Sequence, residues 1–266
     1  MKPILYSNPF SYYSMIARLV LSEKKVEYQL NHVDIHIKME QFLPEYVTIQ
    51  PNMTVPALVW GDEVFSDSYN ILFFVNKNFP GVDLFPENDQ VEIQKAIDRN
   101  YKFSIEGLTM GTAIRRSPFA RIALKRGISR GVRRCRQLML KHPELKNVCE
   151  KKILIESERQ RLIISKSNNY NELYQNVIEI CDWMDKSLES RQFIASDNYS
   201  IADVVWTVFM GRLNMIKFDD LIKKRKNLNS YWQRMSNRES FKEANICTKM
   251  PVLNIFRIAC ASMFRA

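Results

Sequence analysis

Val55-Pro56 and, twelve and thirteen positions after the valine, Asp67-Ser68 are the residues of this chain best suited to holding a small peptide. A proline directly ahead of an apolar run removes a ladder donor, so the pair predicts a cis bond that turns the Val55 backbone outward. The N–H and C=O of Val55 would then pair with an extended peptide as one more strand does. The Asp67 side chain suits an ammonium, and the Ser68 hydroxyl with the free N–H groups of a helix start suits a carboxylate. An amino-acid head group, which carries both charges on one carbon, answers to both.

The surrounding elements must put these groups within reach of one ligand. Residues 57–60 and 63–65 are short runs of strand formers around Gly61-Asp62, which predicts a tight hairpin. Residues 66–76 begin with capping side chains and continue with Ile71, Leu72 and Val75 at helical spacing. Upstream, 2–6 reads as a strand, 11–23 as a helix with Ile16, Leu19 and Val20 on one side, 26–36 as a second strand and 39–46 as helix-forming. The order βαβ, helix, ββα predicts an α/β thioredoxin-like domain. A thioredoxin oxidoreductase places Cys-x-x-Cys where the first helix begins, but here Pro9-Phe10-Ser11-Tyr12-Tyr13-Ser14 stands there. Serine can still serve a thiol: a hydroxyl donor and a helix N-terminus both favour a thiolate over a thiol of pKa about 8.5, by about 1.4 kcal/mol for each unit gained. Ser7, Ser11 and Ser14 are the candidates.

Together these sites resemble the glutathione transferase superfamily, whose γ-glutamyl group Asp67 and Ser68 would hold. Serine-type members place the activating residue five positions after the apolar pair of the first strand, which from Leu5-Tyr6 gives Ser11; Ser7 lies close to the strand and Ser14 inside the helix. The resemblance implies a catalytic Ser11, glutathione contacts at Gln41, Val55, Pro56, Asp67 and Ser68, and Tyr12 and Tyr13 either bordering the electrophile pocket or packing between domains. It also implies glutathione as co-substrate, a hydrophobic electrophile for conjugation or a peroxide for reduction, and a homodimer. A Ser-x-x-Asp capping box, Ser200 to Asp203, opens an apolar helix and extends the likeness to the all-helical C-terminal domain of this superfamily. The length, His142-Pro143-Glu144-Leu145 and Tyr231-Trp232 are similar to the plant tetrachlorohydroquinone dehalogenase-like class. Thr54 and Gln41 stand where relatives carry lysines, which removes about 1–3 kcal/mol of charge pairing to the glycyl carboxylate. Reductive dehalogenation would need a cysteine at the place of Ser11.

The chain has 266 residues, is 46% hydrophobic and carries a net charge of +10. This accommodates a thioredoxin-like domain over 1–82, a linker at 83–90 and an all-α domain over 91–266. Between 115 and 141 lie ten Lys and Arg and no Asp or Glu, interleaved with apolar residues, predicting a basic amphipathic helix or a pair broken near Gly127 and Gly131. The competing readings are a solvated face, an anionic membrane surface and, least supported, nucleic acid, since no base-reading motif accompanies the charge. Residues 251–264 form an apolar tail, too short to span a bilayer, that would pack as a last helix or lie at an interface. His32 and His36 lack the partners of a metal site, so no metal is expected. Five cysteines with no evident pairing, and no signal peptide, point to a reducing, cytoplasmic setting.

Overall fold

A computed structural model describes residues 2–164 and 169–264. The strands β1 (Ile4–Ser7), β2 (Gln29–His32), β3 (Ala57–Trp60) and β4 (Glu63–Phe65) form one sheet in the order β2-β1-β3-β4. β1 pairs parallel with β2 and antiparallel with β3, Leu5 lying opposite Leu30 and Leu58. The helices α1 (Tyr12–Glu23), α2 (Pro44–Ile49) and α3 (Ser68–Asn78) complete the thioredoxin-like part. The hairpin has the expected bounds. β2 is shorter than expected, because Asp34 turns the chain: its Oδ1 accepts the N–H groups of His36 and Ile37 at 3.0 and 2.7 Å. Instead of one helix over 39–46, a 3-10 turn (Glu40–Phe42) precedes α2, since Pro44 suits a first helical position and disfavours helix at Leu43.

The remainder is helical: α4 (Gln90–Lys102), α5 (Ile105–Arg116), α6 (Pro118–Lys141), α7 (Lys146–Arg159), α8 (Tyr170–Ser187), α9 (Ile201–Met215), α10 (Asp219–Lys223), α11 (Lys226–Ser236), α12 (Glu239–Glu243) and α13 (Val252–Phe264). α9 is apolar all round and buried from 201 to 213, the mark of a central helix. Trp206 on it donates its indole N–H to Ala96 O at 3.1 Å, and one continuous core runs from Leu5 and Leu58 through α1 to α9. Burying each large side chain there contributes about 1.5–3 kcal/mol.

Of the two alternatives for the basic segment, the structure takes the single helix: α6 runs unbroken through both glycines. A Cβ at Gly131 would lie 3.2 Å from Phe42 Cζ, so this glycine admits a close neighbour, whereas one at Gly127 would make only ordinary contact, 3.6 Å from Ser262 Oγ. Cys135 and Leu138 of α6 pack with Met39, Phe42 and Met53. The tail forms α13, whose C-terminal half docks on α6; Arg130 donates to Ala261 O at 3.0 Å and to Ile37 O at 3.1 Å. Its N-terminal half leaves Val252 and Phe256 79% and 66% exposed. Arg265, the charge at the end of the expected tail, lies outside the described residues. No helix among the described residues is long and apolar enough to cross a membrane.

Candidate active site

Ser11 caps α1. Its backbone is extended at φ −73°, ψ 126°, and its Oγ accepts the Ser14 N–H at 3.3 Å. Asn8 wires the approach: Oδ1 accepts the Phe10 N–H at 3.0 Å and Nδ2 donates to Val33 O at 2.9 Å. Ser7 and Ser14 are buried, Ser7 Oγ accepting from Arg18 at 2.8 Å and Ser14 Oγ from the Asn8 N–H at 3.3 Å. Ser11 is half-buried, and its hydroxyl proton meets no acceptor among the described residues. Of the three serines it is the one left partly exposed.

The second wall is the cis Val55–Pro56 bond, present as expected. Tyr46 O–H donates to Thr54 O at 2.6 Å, and buried Gln50 donates through Nε2 to Pro56 O at 3.4 Å and to Ser66 O. Gln50 thereby ties the Pro56 turn to the segment that ends in Asp67. Val55 packs its side chain with Val33 and Tyr46, and its own N–H and C=O make no hydrogen bond among the described residues. A backbone pair left unmatched beside a matched one is what an added peptide strand requires.

Asp67 caps α3, accepting the Asn70 N–H at 2.8 Å, with its carboxylate still exposed. Ser68 is placed otherwise than expected. It is buried, and its hydroxyl shares a hydrogen bond of 2.8 Å with the Tyr101 hydroxyl from α4, so a carboxylate at this helix start would have to share it. Gln41 is buried on the 3-10 turn, its Nε2 donating to Ile35 O at 3.3 Å. That contact uses one of its two amide hydrogens, and its Oε1 is buried without a partner.

Tyr12 packs in the interdomain core and donates its hydroxyl to Asn100 Oδ1 at 2.9 Å; of the two alternatives for this residue, the structure takes the packed one. Tyr13 is half-buried and stacks on Tyr101 with ring centroids 6.0 Å apart. Tyr101 is thus the bridge from Ser68 to the aromatic pair beside Ser11, and burial raises its hydroxyl pKa. His36 lies in the loop after β2, where burial pushes its ring down to about 4 against the pull of Asp34, with Arg159 and Arg212 adding to the shift. It is neutral at pH 7.

Gln50, Tyr101 and Arg212 were not foreseen. For Gln50, a long side-chain amide beside Pro51 is the local signal that could have found it. Tyr101 and Arg212 gave no local signal, lying 33 positions from Ser68 and 202 from Phe10.

Residues 10–78 match the glutathione S-transferase N-terminal domain, and residues 149–239 the glutathione S-transferase C-terminal domain. The basic helix α6 falls between the two matched segments. Over 259 residues the chain is 30% identical to a tetrachloro-p-hydroquinone reductive dehalogenase of Sphingobium chlorophenolicum, covering 91% of this chain and 95% of that one. It is 23% identical to the glutathione S-transferase TCHQD of Arabidopsis thaliana, covering 90% and 88%. The fold is shared with the crystal structure of glutathione transferase F2 from Populus trichocarpa, at TM-score 0.65 and 18% identity over 91% of this chain and 96% of that one.

Proposed function

Because this chain belongs to the glutathione S-transferase family, we propose that it binds glutathione at Val55 and Asp67 and activates its thiol with Ser11. The observation that carries this reading is the half-buried Ser11 hydroxyl, at the positive end of α1, with a proton that no described group accepts. A thiolate there would accept that proton in a hydrogen bond and sit in the field of the helix. In conjugation the sulfur forms a bond to an electrophilic carbon while the leaving group departs with its electron pair. In peroxide reduction the sulfur takes one oxygen of the O–O bond and an alcohol leaves. A second glutathione then gives the disulfide and water. Reductive dehalogenation, in the name of the Sphingobium relative, lies outside this proposal, because Ser11 stands where a mixed disulfide would need cysteine. A cytoplasmic homodimer belongs to the same proposal.

Calorimetric titration tests it. Glutathione should bind, and Asp67→Ala should weaken binding about tenfold or more by removing the partner of the γ-glutamyl ammonium. An undiminished affinity in Asp67→Ala would remove this residue from the site, and no binding at millimolar glutathione would end the reading.

A second reading, contact with an anionic membrane surface, is favoured by the exposed Val252 and Phe256 on α13 beside the basic α6. Flotation with phosphatidylserine vesicles should carry the protein up at low salt; protein left at the bottom of the gradient would exclude it.

A further inference from the structure

Two arginines grip the three-residue loop that ends at Ser11, and they differ in one respect. Arg18, on α1, is buried with every nitrogen in use: Nε donates to Ala244 O at 2.7 Å, Nη1 to Ser7 Oγ and Asn8 O, and Nη2 to Pro9 O and Asn245 O. Arg212, near the end of α9, reaches across from the helical domain and donates through Nη2 to Phe10 O at 2.8 Å. It is 7% exposed, yet its Nε–H is buried without a hydrogen-bond partner. No carboxylate forms an ion pair with either guanidinium among the described residues.

A buried guanidinium without a carboxylate partner is costly; here the Tyr12 ring, 5.8 Å from the guanidinium carbon, and Phe10 O offset only part of that cost, and a spare buried donor adds to it. Such an arrangement answers to an anion that is absent from the polypeptide and arrives with a ligand. The carbonyl that Arg212 holds belongs to the residue immediately before Ser11, so its charge sits beside the cap of α1. We propose that Arg212 is the cationic partner of the glutathione thiolate, acting from the helical domain on the sulfur that Ser11 holds. This rests on the reading that glutathione binds at Ser11.

The surroundings leave that charge uncancelled. The ionisable groups facing Arg212 are Tyr12 and Tyr13 of α1, Cys247 beyond α12 and His36 in the loop after β2. Burial pushes the two phenols and the thiol upward and the imidazole down to about 4, so all four are uncharged at pH 7. Arg18 adds a second positive charge on the other side of the same loop, and its saturated hydrogen bonding gives it the task of holding that loop in place. The thiol proton goes to solvent when the thiolate forms.

A unit charge within about 10 Å, in a partly dry cleft, lowers a thiol pKa by about one unit. The test is the ultraviolet thiolate titration of bound glutathione, with S-methylglutathione as a ligand that has no ionisable thiol. Arg212→Gln, which removes the charge and keeps a polar amide, should raise the bound thiol pKa by about one unit and cut thiolate at pH 7 about tenfold. Arg212→Lys should recover at least half of that shift, and S-methylglutathione should bind all three proteins within twofold. A bound thiol pKa unchanged in Arg212→Gln overturns the inference while leaving the glutathione reading standing. Failure of the wild-type protein to bind either ligand overturns both. Should Arg212→Gln not fold, the wild-type protein still decides: thiocyanate should weaken glutathione binding at pH 8 and spare S-methylglutathione, and equal effects on the two ligands would count against Arg212.

Discussion

Ser11→Ala is expected to lower kcat/KM for a glutathione-dependent reaction by about 100-fold, a loss of about 2.7 kcal/mol of transition-state stabilisation. Ser11 has two roles in the structure, and the substitution separates them. As a cap it accepts one long hydrogen bond, 3.3 Å from Ser14 N, whose loss costs about 1 kcal/mol of stability. As a donor its proton is free, and the charge-assisted hydrogen bond it can donate to a thiolate is the larger effect. The signature is a pH profile: the acidic limb of kcat/KM, which reports the thiol, should move up by one to two units, so that the variant recovers much of its activity at high pH. Ser11→Thr keeps the hydroxyl and the cap and should retain most of the activity. An unmoved acidic limb in Ser11→Ala, with activity within threefold of wild type, would show that another group activates the thiol.

Asp203→Ala should destabilise the protein by about 3–4 kcal/mol, lowering the unfolding midpoint by roughly 8–12 °C. Asp203 is fully buried at the start of α9 and receives four hydrogen bonds. These come from Ser200 N–H at 2.9 Å, Ser200 O–H at 3.0 Å, Ile194 N–H at 3.0 Å and Tyr231 O–H at 2.7 Å. Burial raises its carboxyl pKa against those bonds, which favour the anion, so part of the cost of an unpaired charge is recovered when the side chain is removed. The remaining loss is that of four donors buried without a partner. Asp203→Asn keeps one carbonyl oxygen and should lose about half as much. Urea denaturation of the three proteins gives the comparison, and a loss below 1 kcal/mol in Asp203→Ala would mean that the segment around Ile194 rearranges to satisfy its own donors. Because Arg212 lies about two and a half turns along the same helix, a variant that remains folded should also show whether the cap fixes the register that carries Arg212 to Phe10.

Local chemistry made the hairpin and the caps legible. Gly61-Asp62 between two runs of strand formers allows one solution, and Ser200 with Asp203 satisfies helix donors from within four residues. Val55-Pro56 was equally local, since a proline ahead of a strand has few uses. The basic segment left one helix or a broken pair open at Gly127 and Gly131, because glycine within a helix is ambiguous between a break and a close approach. At Gly131 Phe42, whose position depends on the whole fold, decides for the second. Gln41 and Ser68 were assigned by position in a motif, and their burial came from the 3-10 turn and from Tyr101 on a different domain.

The sequence by itself determined the thioredoxin-like and helical parts, the serine in place of cysteine at the first helix, and the candidates for thiol and γ-glutamyl recognition. Periodicity, capping and turn chemistry act over a few residues and can be read in order along the chain. Which serine is left partly exposed, which tyrosine is packed and which is half-open, and the arrival of Arg212 and Tyr101 at the site were decided by tertiary structure alone. Burial and hydrogen-bond saturation are properties of what lies opposite a residue, and here what lies opposite comes from the other domain.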